Sequence, residues 1–367
     1  MKMKIAFLGP APPIRGGISA FAVELSKCYL EMGHEVKMFG FRRQYPALIF
    51  PGKSQTASFD LPDSLQTDNI FIPYRPDTWP RGLKAILDFE PDILFISYFI
   101  PFFAPLYSFV ARAMKKTKVS IILHNLVPHE RWPAAKLLAR SVLKYADSII
   151  CLSEATRNEL KKLMPNEIYL KSKLGFHPVY DQYQIHEEIA REPHTLLFFG
   201  LIKKYKGLDI LISAMPEVLA KYQDARLLIV GEVYGSDELY QNLIDELGIK
   251  ENVESHFRYV EDGEVAGFFQ RSSLCVLPYR TASQSGVIAM AMALGVPVLA
   301  SDFEGLAQYI EDGVNGMLVP ADPEPSAADL AAKIIRFFDS QAFESMSRAQ
   351  LDKAKEYTWE ALAQMLL

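Results

Sequence analysis

Short continuous apolar runs alternate with stretches of helical period along the whole chain, and the alternation is interrupted once, over the polar stretch 181–194. A continuous apolar run has no polar face to offer water. It reads as a strand covered on both sides, as in parallel sheets flanked by helices. Parallel neighbours need a crossover, and the amphipathic stretches between the runs supply it. The first half opens on a strand at 3–9. A helix follows with Ile18, Phe21, Ala22, Leu25 and Tyr29 at helical spacing, closed by Gly33, and then a strand at 35–41. Further strands fall at 70–74, 93–98, 119–124, 148–152 and 168–171, with helices at about 103–116 and 134–146. The second half runs strand 195–200, helix 208–222, strand 226–231, helix 236–247, strand 253–260, helix 263–271, strand 274–278, helix 286–294, and strands 296–300 and 316–319. Helices at about 326–339 and 341–355 close it. The fold class expected is α/β: two doubly wound domains, 1–182 and 195–355, joined by a linker at 183–194. A ligand is expected at the carboxyl ends of the strands, in a cleft that the two domains face.

Composition narrows the function more than the fold. At 367 residues the chain has room for two cores. A net charge of −5 argues against nucleic acid as a partner. Cys28, Cys151 and Cys275 stand far apart in apolar segments, which suits buried thiols in a reducing, cytoplasmic setting. No metal spacing and no Asp-x-Asp at a strand end is present, so no metal or cofactor is expected. No GxSxG elbow points to a nucleophile. The apolar run in MKMKIAFLGP is too short for a signal peptide, and no run is long enough to span a bilayer.

The segment LCVLPYRTASQSGVIAMAMALGVPV at 274–298 carries the most chemistry. A strand ends at Pro278, a small polar loop follows, and a helix begins near Gly286. Helix N-termini present free amides and the positive end of the dipole, so Ser285, Gly286 and Val287 suit a phosphate, with Ser283 and Gln284 in reach of hydroxyls. After the strand at 195–200 come Lys203, Lys204 and Lys206 before Gly207, compact cations suited to a diphosphate or, equally, a solvated loop. After the first strand, Arg15, Gly16 and Gly17 precede a helix; they would admit a phosphate or form a plain connection. The spacing is not GxGxxG, so no nicotinamide or flavin fingerprint is read. His124 ends an internal strand, where it would either meet a sugar or phosphate oxygen or serve structure. Arg258, Tyr259 and Val260 end another strand, where a nucleobase or ordinary packing would fit. Ser153-Glu154 reads as an N-cap with a first-turn acid. Residues 98–118 join a dense aromatic run to a basic end. With Arg42, Arg43, Arg131, Lys136, Arg140 and Lys144 they suit either an anionic membrane or a core with snorkelling lysines.

These motifs together resemble the family-4 glycosyltransferases of GT-B fold, a pair of Rossmann-like domains: RGGI after the first strand, HN at 124–125, SEA at 153–155, KG at 206–207, VGE at 230–232, PYR…SGV before A-x-A-x-G-x-PV, and EDG-x-NG-x-L-V-P. The resemblance implies retaining transfer of a hexose from a UDP- or GDP-type nucleotide diphosphate sugar, without a bound metal, to a polysaccharide, glycolipid or other acceptor. It places the donor on the second domain and the acceptor on the first, with 356–367 as a terminal helix returning to the first domain. By position, Gly16 and Gly17 would approach the donor phosphate and acceptor, with Arg15 on the acceptor side. His124 would contact the donor sugar, Lys206 would hold the diphosphate, and Lys203 or Lys204 would replace an arginine for which Leu201 stands. Aligned on Gly295, the two glutamates usual in the family are Ala282 and Met290, as in a branch with a QSGV loop, and Gln308 replaces a third. A nucleotide-sugar epimerase and a non-catalytic partner protein are the alternatives.

Overall fold

The computed structural model describes residues 2–46, 56, 61–127, 132, 134–180, 183, 189–322 and 324–367. The chain divides into two compact units, Met1–Phe176 with Trp359–Leu367, and His177–Thr358.

The first unit is built on a parallel sheet with strands β1 (Lys4–Leu8), β2 (Glu35–Phe41), β3 (Gln66–Phe71), β4 (Ile93–Tyr98), β5 (Lys118–Leu123), β6 (Ser148–Cys151) and β7 (Ser172–Leu174), in the order β3-β2-β1-β4-β5-β6-β7. In register, Ile5 lies between Val36 and Ile93. The continuous apolar runs are the reason for this architecture: every residue of β4 is buried, because helices cover both faces of the sheet. The order reverses between β1 and β4, so the crevice at a topological switch point opens there. The C-terminal helix Trp359–Leu366 packs on the helix Gly17–Glu31. Trp359 meets Phe21 with ring centroids 5.1 Å apart, and Tyr29 Oη donates to the Ala363 carbonyl at 3.2 Å.

The second unit repeats the plan with β8 (Thr195–Phe199), β9 (Arg226–Val230), β10 (Val253–His256), β11 (Leu274–Leu277), β12 (Val298–Ser301) and β13 (Gly316–Val319), in the order β10-β9-β8-β11-β12-β13. Its switch point lies between β8 and β11. The unit begins at His177. The His177 amide donates to Tyr309 Oη at 2.9 Å and the Val179 amide to the Tyr357 carbonyl at 2.8 Å. Of the expected linker 183–194, residues 184–188 lie outside the described residues, as do 128–131, which include Arg131.

Three local expectations are corrected. Residues 168–171 are not a strand: Pro165 caps a short helix, Asn166–Tyr169, whose Ile168 is buried, and the strand follows at β7. The strand expected at 70–74 is β3, which ends at Phe71 because the Arg75 amide turns back to the Ile72 carbonyl. The strand expected at 253–260 ends at His256. There the Arg258 amide folds back on the His256 carbonyl, and Glu261 with Glu264 forms the capping box of the helix Asp262–Arg271. The amphipathic helix Trp79–Phe89 was not expected, whereas the helix Glu154–Leu163 starts where Ser153-Glu154 reads as an N-cap with a first-turn acid, the Ser153 side chain accepting from the Thr156 amide at 3.1 Å. Cys28, Cys151 and Cys275 are buried free thiols.

Phe21 is fully buried and touches both His124 and Trp359. Phe21→Ala is predicted to destabilise the fold by about 3–5 kcal/mol, measured by urea unfolding; a loss below about 1 kcal/mol would show that the terminal helix does not depend on this contact.

Candidate functional site

The second unit gathers its candidate residues at the β8–β11 switch point. After β8 the chain passes Gly200 and forms a tight turn, Lys204–Lys206, before the helix Leu208–Lys221. After β11 it passes Tyr279 and Arg280 before the helix Gly286–Ala293. A Cβ placed on Gly200 would stand 3.3 Å from Lys206 Nζ and 3.4 Å from Val287 Cγ2, so the amine and the start of the helix Gly286–Ala293 share one spot. Ser285 is the N-cap, extended and making no side-chain cap hydrogen bond, so the amides of the first turn have no side-chain acceptor from it. Val287 is buried; Ser283, Gln284 and Gly286 are half-buried.

Close backbone approaches fix the two loops. A Cβ on Gly207 would stand 2.0 Å from the Pro278 carbonyl oxygen, and Gly207 also has φ +69°. A Cβ on Gly305 would stand 1.9 Å from the Ser283 carbonyl oxygen, so the turn Glu304–Ala307 backs directly onto Ser283 and Gln284. Each position admits only glycine without a backbone shift.

The residue that the sequence reading passed over is Arg280. Its guanidinium makes a bidentate pair with Asp209, both contacts at 2.7 Å, donates to the Lys204 carbonyl at 2.9 Å and pairs with Glu324. Its own amide donates to the Tyr205 carbonyl at 2.7 Å. Arg280 therefore ties the 281–286 loop to the lysine turn from the side, with its fork already occupied. The PYR triplet was visible, but its partner Asp209 lies 71 positions away.

The three lysines differ. Lys206 is half-buried with its amine 5.5 Å from the centre of the Tyr279 ring. Burial, with the neighbouring Lys203 charge adding to it, brings the amine down to about 8 from its ordinary 10.5. Lys203 Nζ stands 4.4 Å over the Tyr234 ring, and Lys204 is exposed. Arg258, Tyr259 and Val260 follow β10, the edge strand, with β9 between it and β8, so they are not part of the lysine–helix cluster. Arg258 is engaged by Glu264 at 2.8 Å, and Val260 is buried.

In the first unit Gly16 is the N-cap of the helix Gly17–Glu31, with φ 122° and no side-chain cap hydrogen bond. Gly17 has an ordinary φ and open space where a Cβ would stand, so nothing in the protein's own packing calls for glycine there. Arg15 beside it is half-buried. His124 follows β5 and is 3% exposed, its ring edge-on to Phe21 with centroids 5.0 Å apart and its amide donating to the Tyr98 carbonyl at 2.9 Å. Phe21 thus brings His124 under the helix that Gly16 and Gly17 begin. Among the described residues no group of three His, Cys, Asp or Glu could hold a metal ion.

The arrangement can hold an anion by one tuned amine and a helix terminus, without a charged side chain taken from the fold's own ion pairs. Two consequences are testable by calorimetry with a nucleoside diphosphate. Affinity is predicted to fall as pH rises through about 8, where Lys206 loses its proton, because the ligand's last phosphate ionisation has its midpoint lower, near about 6, and changes little above 8. The fall disappears in Lys206→Ala; an equal fall in both proteins would remove Lys206 from the site. Arg280→Met is predicted to weaken nucleoside diphosphate binding by roughly tenfold or more through misplacement of both loops, leaving the affinity for the unphosphorylated nucleoside unchanged. An equal loss for both ligands would contradict a role confined to the loops.

Comparison with known proteins gives this geometry a context. The family profile "Glycosyl transferases group 1" matches residues 193–340, and "Glycosyltransferase Family 4" matches residues 15–169. The chain is 30% identical over 200 residues to a D-inositol 3-phosphate glycosyltransferase of Segniliparus rotundus. That match spans 53% of this chain and 44% of the relative, less than half its length. It is 24% identical over 376 residues to the phosphatidyl-myo-inositol mannosyltransferase of Mycolicibacterium smegmatis, spanning 96% of this chain and 89% of that one. Among solved structures, Anabaena Alr3699/HepE in complex with UDP and glucose superposes with a TM-score of 0.75 at 16% identity, covering 99% of this chain and 98% of that one.

Proposed function

The chain belongs to the family-4, group 1 glycosyltransferases of GT-B fold, and on that footing we propose that it is a retaining hexosyltransferase that takes its sugar from a nucleotide diphosphate sugar. The observation that carries this reading is the meeting of the Lys206 amine with the first turn of the helix Gly286–Ala293 at the switch point of the second sheet. A departing diphosphate develops negative charge, and preorganised donors aimed at that charge lower the barrier more than donors aimed at the ground state. Lys206, with Lys203 and the amides of Ser285, Gly286 and Val287, fills that role without a resident metal. Ser283 and Gln284 take the sugar hydroxyls in place of the carboxylates that Ala282 and Met290 lack, and Arg258, Tyr259 and Val260 serve the nucleoside.

From the first unit, Gly16 and Gly17 admit donor phosphate and acceptor, Arg15 serves the acceptor, and His124 contacts the donor sugar. The acceptor is a glycan or lipid-linked hydroxyl, which attacks from the face the leaving group vacates; no enzyme nucleophile takes part. The relatives named for an inositol phosphate and a phosphatidyl-inositol support an acceptor of that broad kind. Peripheral contact with an anionic membrane fits the basic helices of the first unit. Among the described residues no helix is long and apolar enough to cross a membrane.

A donor screen that follows nucleotide release across UDP- and GDP-sugars is expected to find one donor consumed only when acceptor is supplied. An epimerised nucleotide sugar formed without acceptor and without net nucleotide release would favour an epimerase, and no nucleotide binding at all would favour a non-catalytic partner. Lys206→Ala is expected to lower turnover by about a hundredfold or more with an unchanged circular dichroism spectrum; near-normal turnover would contradict the reading.

A further inference from the structure

The outer face of the first unit carries a groove unrelated to the carboxyl edge of its sheet. It is a shallow groove of 590 Å³, open to solvent, and lies over the helices Trp79–Phe89, Ala104–Ala113 and Ala135–Leu143. Its wall is apolar: Leu83 from the first helix, Phe109 from the second, Leu138 from the third and Tyr145 just beyond. The polar groups in the floor, Ser108 and Ser141, are satisfied by each other at 2.9 Å, and Ser141 Oγ also donates to the Leu138 carbonyl. Two cations, Arg112 and Lys144, also line it. The helices Ala104–Ala113 and Ala135–Leu143 follow the neighbouring parallel strands β4 and β5 and so run the same way. Their C-terminal ends, where Arg112 and Lys144 sit, fall at one end of the groove.

The charge is one-sided on the two helices that supply most of the lining, while the helix Trp79–Phe89 carries Asp88 paired with Lys84. Between Asp92 and Asp147 the sequence has one acid, Glu130, and eight bases, among them Arg112, Lys136, Arg140 and Lys144. Those four are exposed, and among the described residues none has an ion pair. Lys144 Nζ stands 4.8 Å over the Tyr145 ring. Leu137 is 73% exposed on the same helix that carries Lys136 and Arg140. An acidic peptide would need polar partners along its backbone, and the groove offers only a serine pair already closed on itself. A hydrocarbon chain needs none. From Pro105 to Ala113 the groove follows about 12 Å of helix, with cations at one end only. That layout matches an apolar chain carrying one anionic head.

We propose that this groove seats an acyl chain of an anionic phospholipid, the chain lying on Leu83, Phe109 and Leu138 and the phosphate held by Arg112 and Lys144. The site goes beyond the transferase reading and does not rest on it, since none of its residues belongs to the candidate site at the strand ends. It would bind one lipid in a fixed orientation, which a basic surface resting on headgroups does not do.

The test uses the full chain and lysophosphatidylglycerol kept below its micellar concentration, followed by calorimetry. The expected result is saturable binding with one site, at least about tenfold weaker for lysophosphatidylcholine, and no heat with inorganic phosphate. Arg112→Gln combined with Lys144→Gln changes only exposed side chains. It is expected to weaken lysophosphatidylglycerol about tenfold or more while transfer to a water-soluble acceptor is unchanged. Ser108→Phe, which fills the floor, is expected to remove binding altogether. If that variant fails to fold, the double variant decides. Absence of saturable binding to folded wild-type protein overturns the proposal. So does equal binding of both lysolipids, or phosphate binding to the same degree. Flotation of the protein with phosphatidylglycerol vesicles alongside no lysolipid binding would also overturn it, leaving a membrane-facing surface without a lipid seat. Failure of the transferase reading would show instead in the donor screen and leave these titrations untouched.

Discussion

The carbonyl oxygen of Pro278 lies 2.0 Å from where a Cβ of Gly207 would be, and the site in the second unit depends on that approach. It brings the turn after β8 against the end of β11, so that Lys206 and the first turn of the helix Gly286–Ala293 occupy one place. Arg280 locks the same junction from outside through Asp209 and the Lys204 carbonyl. Gly305 supports the loop from behind, where Ser283 and Gln284 lie. A helix terminus alone is a weak anion site. One set beside a partly desolvated amine, with the polar loop immobilised on both sides, is preorganised for charge that appears during a reaction.

Much of this was legible in residue order. The apolar runs announced parallel strands, and their alternation with helical stretches, interrupted once at 181–194, announced two doubly wound sheets with helices on both faces. The loops after β8 and β11 read as candidate ligand loops from Lys206, Ser285 and Gly286. What residue order could not show was distance. Arg280 read as the last letter of a strand-end triplet, and its part emerged only with Asp209, which lies far off in the chain. Phe21 read as one more apolar helix position, although it packs on both His124 and Trp359. The strand expected at 168–171 failed for a local reason, since Pro165 starts a helical turn whose apolar residues mimic a strand.

Ala282 and Met290 leave the loop and helix after β11 without a carboxylate at either position. Carboxylates bind hydroxyls strongly but repel a diphosphate close by. This chain instead has amides, hydroxyls and an amide side chain around its cationic turn, and no carboxylate at either position. On the proposed reading, selectivity among sugars falls to neutral hydrogen bonds, individually weaker than charge-assisted ones. Among the described residues, the first unit carries Arg15 after β1 and Arg42 and Arg43 after β2, with a further group of bases, Arg112, Lys136, Arg140 and Lys144, on its helices.

The central claim is a diphosphate held jointly by Lys206 and the start of the helix Gly286–Ala293. A crystal structure of the protein with a nucleoside diphosphate tests it most directly. Phosphate oxygens are expected within about 2.7–3.2 Å of Lys206 Nζ and of the Gly286 or Val287 amide nitrogen. A diphosphate seated elsewhere, with Lys206 still turned toward Tyr279 and the helix terminus in contact with solvent, would contradict it.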